Sequence, residues 1–356
     1  MGIDEKYMFR CLQLAKKGEG YTRPNPMVGA VIVHNGKIIG EGYHRKYGEP
    51  HAEVNAVRSV KDPSLLPQST LYVSLEPCSH YGKTPPCSAM IISHKIPRVV
   101  IAVTDPNPKV AGNGIRMLRE NGVDVTVGIL EKEARELNRS FFVNQLYCRP
   151  YIILKWAQSK DGYLDRHRTS HESAPPAMLS NTLTSILVHR TRTQVQGIMV
   201  GTRTALLDNP QLTARKWYGS NPVRIIIDRE NKIPADFRIF RPDAPTLVFT
   251  EKAPPLSPDN KFVKYIELDF SKDILIPLLK AIYKENIYSV LVEGGSHLLS
   301  SFIEKQLWDE AFIEITDTAL QDGIKSPEIQ GQDIDIQKYS GSVQIHLKSK
   351  ITRNFL

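Results

Sequence analysis

Three residues in the first quarter of the chain are of the types that hold a catalytic metal ion. His51 lies in "GEPHAEVNAV", and Cys78 and Cys87 lie in "LEPCSHYGKTPPCSAM". Zinc prefers thiolate and imidazole ligands, and a catalytic zinc ion keeps three protein ligands and leaves its fourth position for water. Because zinc lowers the pKa of that water to about 7, hydroxide becomes available at neutral pH. The residue types therefore predict a zinc ion held by His51, Cys78 and Cys87.

Glu53 follows His51 by two positions and supplies a carboxylate that is not needed as a ligand. A carboxylate beside the metal-bound water can move protons between that water and the reacting group. Alone, a His-x-Glu pair is better explained by two polar residues at a solvated helix end. Followed by Pro-Cys and by a second Cys before a helix, the pair matches zinc-dependent nucleobase deaminases, although eight residues separate the cysteines here instead of two. We therefore predict Glu53 as the catalytic proton carrier.

Other histidines near these positions are alternative ligands, namely His44, His80 and His94. His94 falls in a helical pattern with its side chain directed to solvent, which indicates no role. His80 lies with Lys83 in the loop between the cysteines, where it is better suited to contact a substrate than the metal. Thiolate and imidazole ligands favour zinc, although iron or cobalt can occupy the same ligand set.

Strand-like and helix-like segments alternate around these residues and must position them. "VGAVIVHNGKIIGEGY" predicts a hairpin that turns at Asn35-Gly36, and the N-terminus predicts an amphipathic helix with Met8, Leu12 and Ala15 on one face. Helices are then predicted in "HAEVNAVRSV", "PPCSAMIISHKI", "GNGIRMLRENG" and "EARELNRSFFVNQLYCRPY" (the last with a connector), and strands in "STLYVSLEP", "RVVIAVTDPNP" and "VDVTVGIL". This alternation indicates a layered α/β domain with largely parallel pairing beyond the hairpin.

The alternation restarts after Pro150, which predicts a second α/β domain and boundaries of 1–147 and 148–356. No G-x-G-x-x-G follows a strand in this half, which argues against an ordinary Rossmann site. Gly294 and Gly295 instead precede a predicted helix whose free amides favour a phosphate group, although ordinary turns also use Gly-Gly. The predicted strands are "YIILKWAQSKDG", "GIMVG", "VRIIID", "PTLVFT", "SVLVEGG", "DEAFIEIT" and "SVQIHLKS", and the predicted helices are "TSILVHRTRTQ", "DILIPLLKAIYKEN" and "HLLSSFIEKQL".

Length and composition exclude several classes of protein. The 356 residues are 41% hydrophobic and 24% charged, as in globular proteins rather than disordered or fibrous ones. No run approaches the roughly 20 apolar residues that span a bilayer, and the N-terminus does not fit a signal peptide. The four cysteines are too few for a disulfide scaffold, so we expect a reducing cytoplasm. The net charge of +8 permits nucleic-acid binding, but its Lys and Arg residues are scattered, and an anionic small molecule explains it equally well. We expect a small-molecule partner, and neither nucleic acid nor a membrane.

The chain resembles the bifunctional deaminase–reductases of riboflavin biosynthesis over nearly its whole length. The segments that carry the resemblance are "RPNPMVGAVIV", "GEPHAEVNAV", "LEPCSHYGKTPPC", "TDPNPKVAGNGI", "LKWAQSKDG", "MVGTRTALLDNPQLTAR" and "LVEGGSHLLSSF". The resemblance implies an N-terminal cytidine-deaminase-like α/β/α zinc domain and a C-terminal dihydrofolate-reductase-like α/β domain that binds NADPH. The first domain would deaminate 2,5-diamino-6-(5-phosphoribosylamino)pyrimidin-4(3H)-one. The second would reduce the ribosyl chain, which gives 5-amino-6-(5-phosphoribitylamino)uracil. A homo-oligomer, a dimer or a tetramer, is also implied.

The resemblance also implies residues that contact the substrate in the deaminase half. They are Asn25, His80, Lys83, Thr84, Asp105 and Asn107. An amide and a carboxylate suit the edge of a pyrimidine, and a cation with a hydroxyl suits a phosphate. For Asp105 and Asn107 a plain turn in "TDPNP" is an equally good explanation.

For the reductase half the resemblance implies two sets of contacts. Ala157, Met178, Thr204, Asp208 and Gly295, Ser296, His297 and Leu298 would contact the cofactor, and Lys155, Ser180, Arg192, Leu212, Arg215 and Glu293 would contact the substrate. Arg190 is a rival to Arg192, while Lys155 and Glu293 are both candidates for the general acid. The chain departs from the family where Met178 replaces a tryptophan that packs by the cofactor, and where "TDTALQDGIKSP" replaces an Ala-Pro and Gly-rich stretch.

Two alternative functions are compatible with parts of the sequence. One is a deaminase of a free nucleoside or a tRNA base with a non-catalytic, ligand-binding second domain. Lys83 in a phosphate-sized loop and the lack of a basic stripe with stacking aromatics disfavour it. The other is a protein in which one domain only binds ligand or holds an oligomer together. The intact set of His51, Glu53, Cys78 and Cys87 disfavours this for the first domain. For the second domain, the replacement of the tryptophan by Met178 leaves this alternative open.

Overall fold

The computed structural model describes residues 2–79, 85–107, 111–170, 174–254 and 261–350, without the side chains of 332–334. The chain separates into two compact units, of which the first ends at Tyr147 and the second begins at Cys148. Among the described residues, no helix has the length and apolar character needed to cross a membrane.

The first unit contains a five-stranded sheet in the order β2-β1-β3-β4-β5. Its strands are β1 (Gly29–His34), β2 (Lys37–Tyr43), β3 (Thr70–Val73), β4 (Arg98–Ile101) and β5 (Asp124–Val127). The predicted hairpin is confirmed, because Asn35 and Gly36 join β1 to β2 with positive φ angles of 47° and 71°. β1 is also antiparallel to β3, so the predicted parallel pairing begins only at β3.

Helices cover both faces of this sheet. They are α1 (Ile3–Lys16), α2 (Ala52–Arg58), α3 (Cys87–Ser93), α4 (Asn113–Glu120), α5 (Glu131–Leu137) and α6 (Arg139–Tyr147), with a 3-10 helix at Pro63–Gln68. Because side chains alternate along β1, Ile32 packs with α2, α3 and α4 whereas Val31 packs with α1, α5 and α6. One correction concerns residues 131–147, where two consecutive helices replace the predicted helix and connector.

α2 lies directly on β2, which sets the position of the residues at its start. A Cβ atom at Gly42 would lie 2.3 Å from the backbone nitrogen of Ala56, so only glycine permits this approach. Ala52 and Ala56, both fully buried, are the small residues on the facing side of the helix. The close packing fixes the N-terminal end of α2 against the sheet.

The second unit contains a nine-stranded sheet in the order β11-β10-β9-β8-β12-β6-β13-β16-β15 and a two-stranded sheet, β14-β7. The strands are β6 (Tyr151–Gln158), β7 (Tyr163–Asp165), β8 (Gly197–Gly201), β9 (Val223–Ile227), β10 (Thr246–Thr250), β11 (Val263–Glu267), β12 (Ser289–Val292), β13 (Glu310–Thr316), β14 (Ile324–Lys325), β15 (Gln332–Tyr339) and β16 (Ser342–Lys348). The strands from β11 to β13 in this order are parallel, and β16 and β15 extend the sheet antiparallel.

The helices of the second unit are α7 (Thr182–Gln194), α8 (Thr202–Asp208), α9 (Leu275–Lys284) and α10 (Ser296–Glu304), with a 3-10 helix at Arg238–Phe240. Two hydrophobic cores lie on opposite faces of the large sheet, because neighbours such as Leu291 and Val292 on β12 belong to different cores. All seven predicted strands and all three predicted helices of this half are confirmed, whereas β7, β11, β14, β15 and α8 were not predicted.

Candidate active sites

The three predicted zinc ligands meet at one point in the first unit. The Nδ1 atom of His51 lies 3.6 Å from the Sγ atom of Cys78 and 3.4 Å from the Sγ atom of Cys87. Tetrahedral zinc with Zn–N of about 2.0 Å and Zn–S of about 2.3 Å requires nitrogen and sulfur to lie about 3.5 Å apart. The donor set and its spacing therefore fit a zinc ion with one position left for another ligand.

Two helix starts bring these ligands together. His51 is the residue before α2 and has an extended backbone, while Cys87 is the first residue of α3 and follows Pro86. The backbone N–H of Cys87 donates to the sulfur of Cys78 at 3.3 Å, and the Ser88 hydroxyl donates to the carbonyl of Cys78 at 3.0 Å. The hydrogen bond from the Cys87 thiol, followed by the nearby His51, lowers the pKa of Cys78 and favours the thiolate that a metal requires.

Glu53 lies in the first turn of α2 and is 3% exposed. Burial, followed by the charge of the Cys78 thiolate, raises the pKa of Glu53 to about 7. The Cys87 thiol also hydrogen-bonds to this carboxylate, so Glu53 is adjacent to the ligand cluster. A carboxyl group with a pKa near neutrality can both accept and release a proton at physiological pH.

The alternative ligands differ in position from the cluster. His44 is buried with its ring centroid 5.6 Å from that of His51, and burial lowers its pKa. Its Nδ1 atom lies 3.2 Å from the carbonyl oxygen of Pro50, and its Nε2 atom lies 3.2 Å from the Asn25 amide nitrogen. Neutral His44 thus donates from Nδ1 and accepts at Nε2, which orients Asn25. His94 follows the end of α3 and is half-buried rather than directed to solvent.

Three of the predicted substrate contacts, His80, Lys83 and Thr84, lie outside the described residues. Asp105 and Asn107 are described and form a local turn, because the Asp105 carboxylate accepts the backbone N–H of Asn107 at 2.8 Å. The turn that explains "TDPNP" is therefore present, and it leaves the side chain of Asn107 half-buried.

Glu76 is a residue of this region that sequence reasoning missed. It is 4% exposed, and its carboxylate accepts four backbone N–H groups, those of Asp105, Gly112, Gly114 and Ile115. Glu76 thus joins the segment that leads to Cys78 to the loop that contains Asp105. Its place two residues before Cys78 in "LEPC" was the only available signal.

The second unit has a cavity of about 1530 Å³ at the carboxyl ends of its parallel strands. Ligands of open α/β sheets bind at this edge. All eight predicted cofactor contacts line the cavity, namely Ala157, Met178, Thr204, Asp208, Gly295, Ser296, His297 and Leu298. Of the six predicted substrate contacts, Lys155, Ser180 and Glu293 line it, whereas Arg192, Leu212 and Arg215 do not.

Arg192 is connected to the cavity through Glu293. Its guanidinium donates to both carboxylate oxygens of Glu293, at 2.6 Å and 3.1 Å, and to the carbonyl of Thr213 at 2.9 Å. Burial raises the pKa of Glu293, but the adjacent Arg192 outweighs it and lowers that pKa below its ordinary value. Arg190 instead lies over the ring of the partly exposed Trp217, 5.7 Å from its centroid. Leu212 is buried with a positive φ, and Arg215 is exposed.

The turn before α10 has the geometry of a phosphate-binding site. Gly295 has a φ of 29°, and a Cβ atom at Gly294 would lie 2.7 Å from the Cα atom of Val200. α10 begins at Ser296, so its first backbone amides face the cavity with the positive end of the helix dipole. The residues present therefore fit a dinucleotide cofactor with its phosphates at this turn.

Two residues at the cofactor end differ from expectation. Met178 is 83% exposed, so its side chain offers a flexible apolar surface at the cavity. Arg168, which sequence reasoning missed, is buried and forms ion pairs with Asp165 and with the predicted cofactor contact Asp208. The side chain of Asp208 is thus held by a cation from another segment.

Two protein-family profiles match the chain. The first, described as the cytidine and deoxycytidylate deaminase zinc-binding region, matches residues 1–103. The second, described as the RibD C-terminal domain, matches residues 150–320. The zinc-type cluster falls in the first matched region and the large cavity in the second.

Several known proteins are similar over most of their length. The riboflavin biosynthesis protein RibD of Aquifex aeolicus is 40% identical over 94% of this chain and 92% of its own length. RibD of Escherichia coli is 36% identical over 88% of this chain and 87% of its own length. A solved structure from Thermotoga maritima covers 98% of this chain and 99% of its own, with a TM-score of 0.84 and 35% identity. It is described as a diaminohydroxyphosphoribosylaminopyrimidine deaminase/5-amino-6-(5-phosphoribosylamino)uracil reductase.

Proposed function

Because the chain belongs to the RibD family of riboflavin biosynthesis proteins, we propose that it catalyses both reactions for which the Thermotoga protein is named. It is a bifunctional deaminase and reductase that uses zinc and NADPH. The observation that carries the proposal is the convergence of His51, Cys78 and Cys87 with the buried carboxylate of Glu53 beside them. The substrate is 2,5-diamino-6-(5-phosphoribosylamino)pyrimidin-4(3H)-one, and the final product is 5-amino-6-(5-phosphoribitylamino)uracil.

We assign the deaminase reaction to residues 1–147. When bound by His51, Cys78 and Cys87, zinc would supply a water molecule whose pKa is about 7. The carboxylate of Glu53 would accept one proton from this water and deliver it to the ring nitrogen next to C2. It would then carry the second proton to the exocyclic amine. The new C2–O bond would replace the bond from C2 to the exocyclic nitrogen, which leaves as ammonia.

Polar residues around the metal site recognise the rest of this substrate. Asn25, whose amide nitrogen lies against His44, and Asp105 with Asn107 are suited to the donors and acceptors of the pyrimidine edge. The sequence between the cysteines supplies His80, Lys83 and Thr84 for the ribosyl phosphate. The neutral form of His44 supports the assignment of Asn25, because it fixes the direction of the amide.

We assign the reductase reaction to residues 148–356. NADPH supplies the hydride, and the cavity lined by Ala157, Met178, Thr204, Asp208 and the turn from Gly295 to Leu298 supports its placement. Lys155, Ser180 and Glu293 line the same cavity and bind the substrate, with Arg192 behind Glu293. Arg215 and the loop at Leu212 bind the phosphate end, to which a guanidinium is well suited.

The family and the composition support a proposal for the assembly and the location of this protein. We infer a homo-oligomer, a dimer or a tetramer, that acts in the cytoplasm on small molecules. The four cysteines, among which the described residues form no disulfide, support a reducing compartment. The moderately positive net charge of +8 suits a phosphorylated substrate and an anionic cofactor.

An assay that follows ammonia release and NADPH oxidation separately tests the proposal. Wild type should release ammonia from the diaminopyrimidine and then oxidise NADPH. Glu53→Gln should reduce ammonia release by about 10²- to 10⁴-fold, which is the contribution of a positioned acid–base group. The same variant should oxidise NADPH at the wild-type rate when the deaminated intermediate is supplied. Glu133→Gln, an exposed glutamate in the first turn of α5, is the matched control and should leave both rates unchanged.

Two results would contradict parts of the proposal. If zinc-loaded wild type releases ammonia from cytidine but not from the diaminopyrimidine, the protein is a nucleoside deaminase. Ammonia release without NADPH oxidation would restrict its catalysis to the first domain.

A further inference from the structure

Glu314 is a fully buried carboxylate on β13, at the side of the reductase cavity. β13 pairs in parallel with β6, so that Phe312 lies opposite Lys155 and Glu314 opposite Ala157. Because residues two apart on a strand share a face, Lys155 and Glu314 project from the same face as diagonal neighbours. Neither the sequence patterns nor the predicted contacts singled out Glu314.

The contacts of Glu314 connect two of the predicted substrate residues. The hydroxyl of Ser180 donates to Oε2 of Glu314 at 2.6 Å, and the Nζ atom of Lys155 lies 3.9 Å from the same oxygen. Ser180 and Lys155 both line the cavity, whereas Glu314 lies behind them. A single carboxylate oxygen thus accepts the Ser180 hydroxyl and faces the Lys155 ammonium group.

This arrangement is poorly suited to a purely structural role. A buried carboxylate is stabilised only when its partners replace the lost hydration, and a pair held at 3.9 Å replaces little of it. The other oxygen, Oε1, is also buried and has no hydrogen-bond partner among the described residues. An apolar side chain at this position of β13 would avoid both costs. The presence of a carboxylate at position 314, beside two cavity residues, therefore indicates a functional requirement.

We propose that Glu314 is a positioning residue of the reductase, which holds Lys155 and Ser180 in place and keeps the lysine in its ammonium form. This inference rests on the reductase activity proposed above.

The reaction itself supplies the reason for an ammonium group at this place. Opening of the ribosyl ring breaks the C1′–O4′ bond and puts a proton on O4′, while the lone pair of the attached nitrogen forms a C1′=N bond and leaves that nitrogen, which keeps its hydrogen, positively charged. The hydride of NADPH then forms the new C1′–H bond, so one hydride and one proton are added in total. Lys155, half-buried in the cavity, can supply this proton, and it can do so only while it is charged.

The charges around Lys155 determine the fraction of this side chain that is protonated at a given pH. Burial lowers its pKa, and the nearby Arg192 lowers it further, while the carboxylates of Glu293 and Glu314 raise it. Removal of either carboxylate should therefore reduce the ammonium fraction at a given pH. Glu293 is already paired with Arg192 at 2.6 Å, whereas among the described residues Glu314 contacts, besides Lys155, the neutral hydroxyl of Ser180.

Glu314→Gln tests the proposal in two independent ways. The first is steady-state NADPH oxidation with the deaminated intermediate, measured from pH 6 to pH 10. We expect kcat at pH 8 to fall at least about tenfold, with less than a twofold change in KM for NADPH. The alkaline limb of the kcat profile should move about one unit to lower pH, because an opposite charge 4 to 6 Å away shifts a pKa by about 1 to 3 units. Glu314→Asp, which keeps the charge, should restore this limb.

The second measurement does not depend on catalysis. The pH dependence of Lys155 acylation by a dilute anhydride, read by mass spectrometry, reports the protonation of this lysine directly. Its midpoint should fall in Glu314→Gln and stay unchanged in the matched control Glu310→Gln. Glu310 is a buried carboxylate on the same strand that accepts from the Tyr151 hydroxyl at 2.7 Å.

The two measurements distinguish the possible failures. An unchanged Lys155 midpoint and an unchanged alkaline limb in Glu314→Gln would overturn the inference while the reductase activity stands. If wild type does not oxidise NADPH, the proposed reductase function fails, and the inference about catalysis fails with it. Equal losses of kcat for NADPH oxidation in Glu310→Gln and Glu314→Gln would show that the buried carboxylates on β13 act only on stability. That result would also overturn the proposal.

Discussion

The zinc cluster takes its ligands from positions 51 to 87, whereas the reductase cavity takes its lining from positions 155 to 324. In the first site two helix starts and one loop bring three ligand atoms within 4.8 Å of one another. In the second site three parallel strands (β6, β8 and β9), several turns and the start of α10 each contribute a few atoms to a cavity of about 1530 Å³. The two sites therefore differ in how far apart in sequence their parts lie.

This difference explains why the zinc site could be predicted from residue types whereas the reductase cavity could not. A metal ion binds particular side-chain atoms, so histidine and cysteine at suitable spacing in a sequence indicate a metal site. A dinucleotide is held largely by backbone amides, glycine turns and shape, which many sequences supply. Chemistry alone thus predicted the zinc ligands, whereas the cofactor contacts followed only from the family resemblance.

The largest effect that would test this comparison is the loss of a metal ligand. Cys87→Ser should remove most of the bound zinc and reduce ammonia release by more than about 100-fold, a loss that even outer-shell changes approach. NADPH oxidation with the deaminated intermediate should not change, because the ligand belongs to the first site. Zinc content is measured by atomic emission beside both rates. Cys148→Ser, at an exposed cysteine, is the control, and full zinc content in Cys87→Ser would break the assignment of Cys87.

A second test concerns the buried carboxylate of Glu76, which serves the first site without lying in its motif. Glu76→Ala leaves four backbone N–H groups without their acceptor, so the segment from Gly112 to Ile115 should become easier to open by about 3 kcal/mol. Hydrogen exchange of these amides measures that free energy. Glu120→Ala, at an exposed pair with Arg116, should change it by less than about 0.5 kcal/mol. Equal exchange in both variants would show that the N–H groups find other partners.

A third test sharpens the description of the cofactor end. Met178→Trp places a rigid aromatic ring at the exposed edge of the cavity, where the resemblance implies a tryptophan. An aromatic contact contributes about 0.5 to 1.5 kcal/mol, so the Kd for NADPH should fall about 2- to 12-fold. A fluorescence titration measures this Kd. Leu183→Trp adds an aromatic at an exposed position of α7 outside the cavity lining, and an equal change there would indicate a nonspecific effect.

The smallest effect concerns the face of the first sheet that lies opposite the zinc ligands. Asp4 accepts from Arg98 at 2.8 Å and from the Tyr72 hydroxyl at 2.7 Å, and the bond from Arg98 is the main reason its pKa is lowered. A lowered pKa means that ionised Asp4 stabilises the fold above its ordinary pKa of about 3.8 and loses this effect as pH falls further. Asp4→Asn should therefore cost about 0.5 to 1 kcal/mol at pH 7.

Thermal unfolding of wild type and Asp4→Asn between pH 3 and pH 7 measures this difference. The two melting temperatures should converge at the acidic end, and ammonia release at pH 7 should be the same in both proteins. A melting difference that persists at pH 3 would assign the effect to something other than the charge of Asp4.

Local sequence alone predicted most of the secondary structure. Asn35-Gly36 favours its turn through backbone conformation, and the spacing of Met8, Leu12 and Ala15 favours α1, which buries all three residues. The missed strands have a common physical reason. β7 and β14 are three and two residues long, and β11 and β15 lie at the two edges of the large sheet, so their existence depends on the strands they pair with.

What the sequence determined by itself was the alternation of elements, the α/β class and the ligand types that zinc requires, because each depends on residues that are close in the chain or on a rare chemical identity. Only the tertiary structure decided which charged residues act together. It paired Arg192 rather than Arg190 with Glu293, placed Arg168 against Asp208, and buried Glu76 and Glu314 behind the two sites. These contacts join residues far apart in sequence, and the free energy of a buried charge depends on neighbours that only the folded chain supplies.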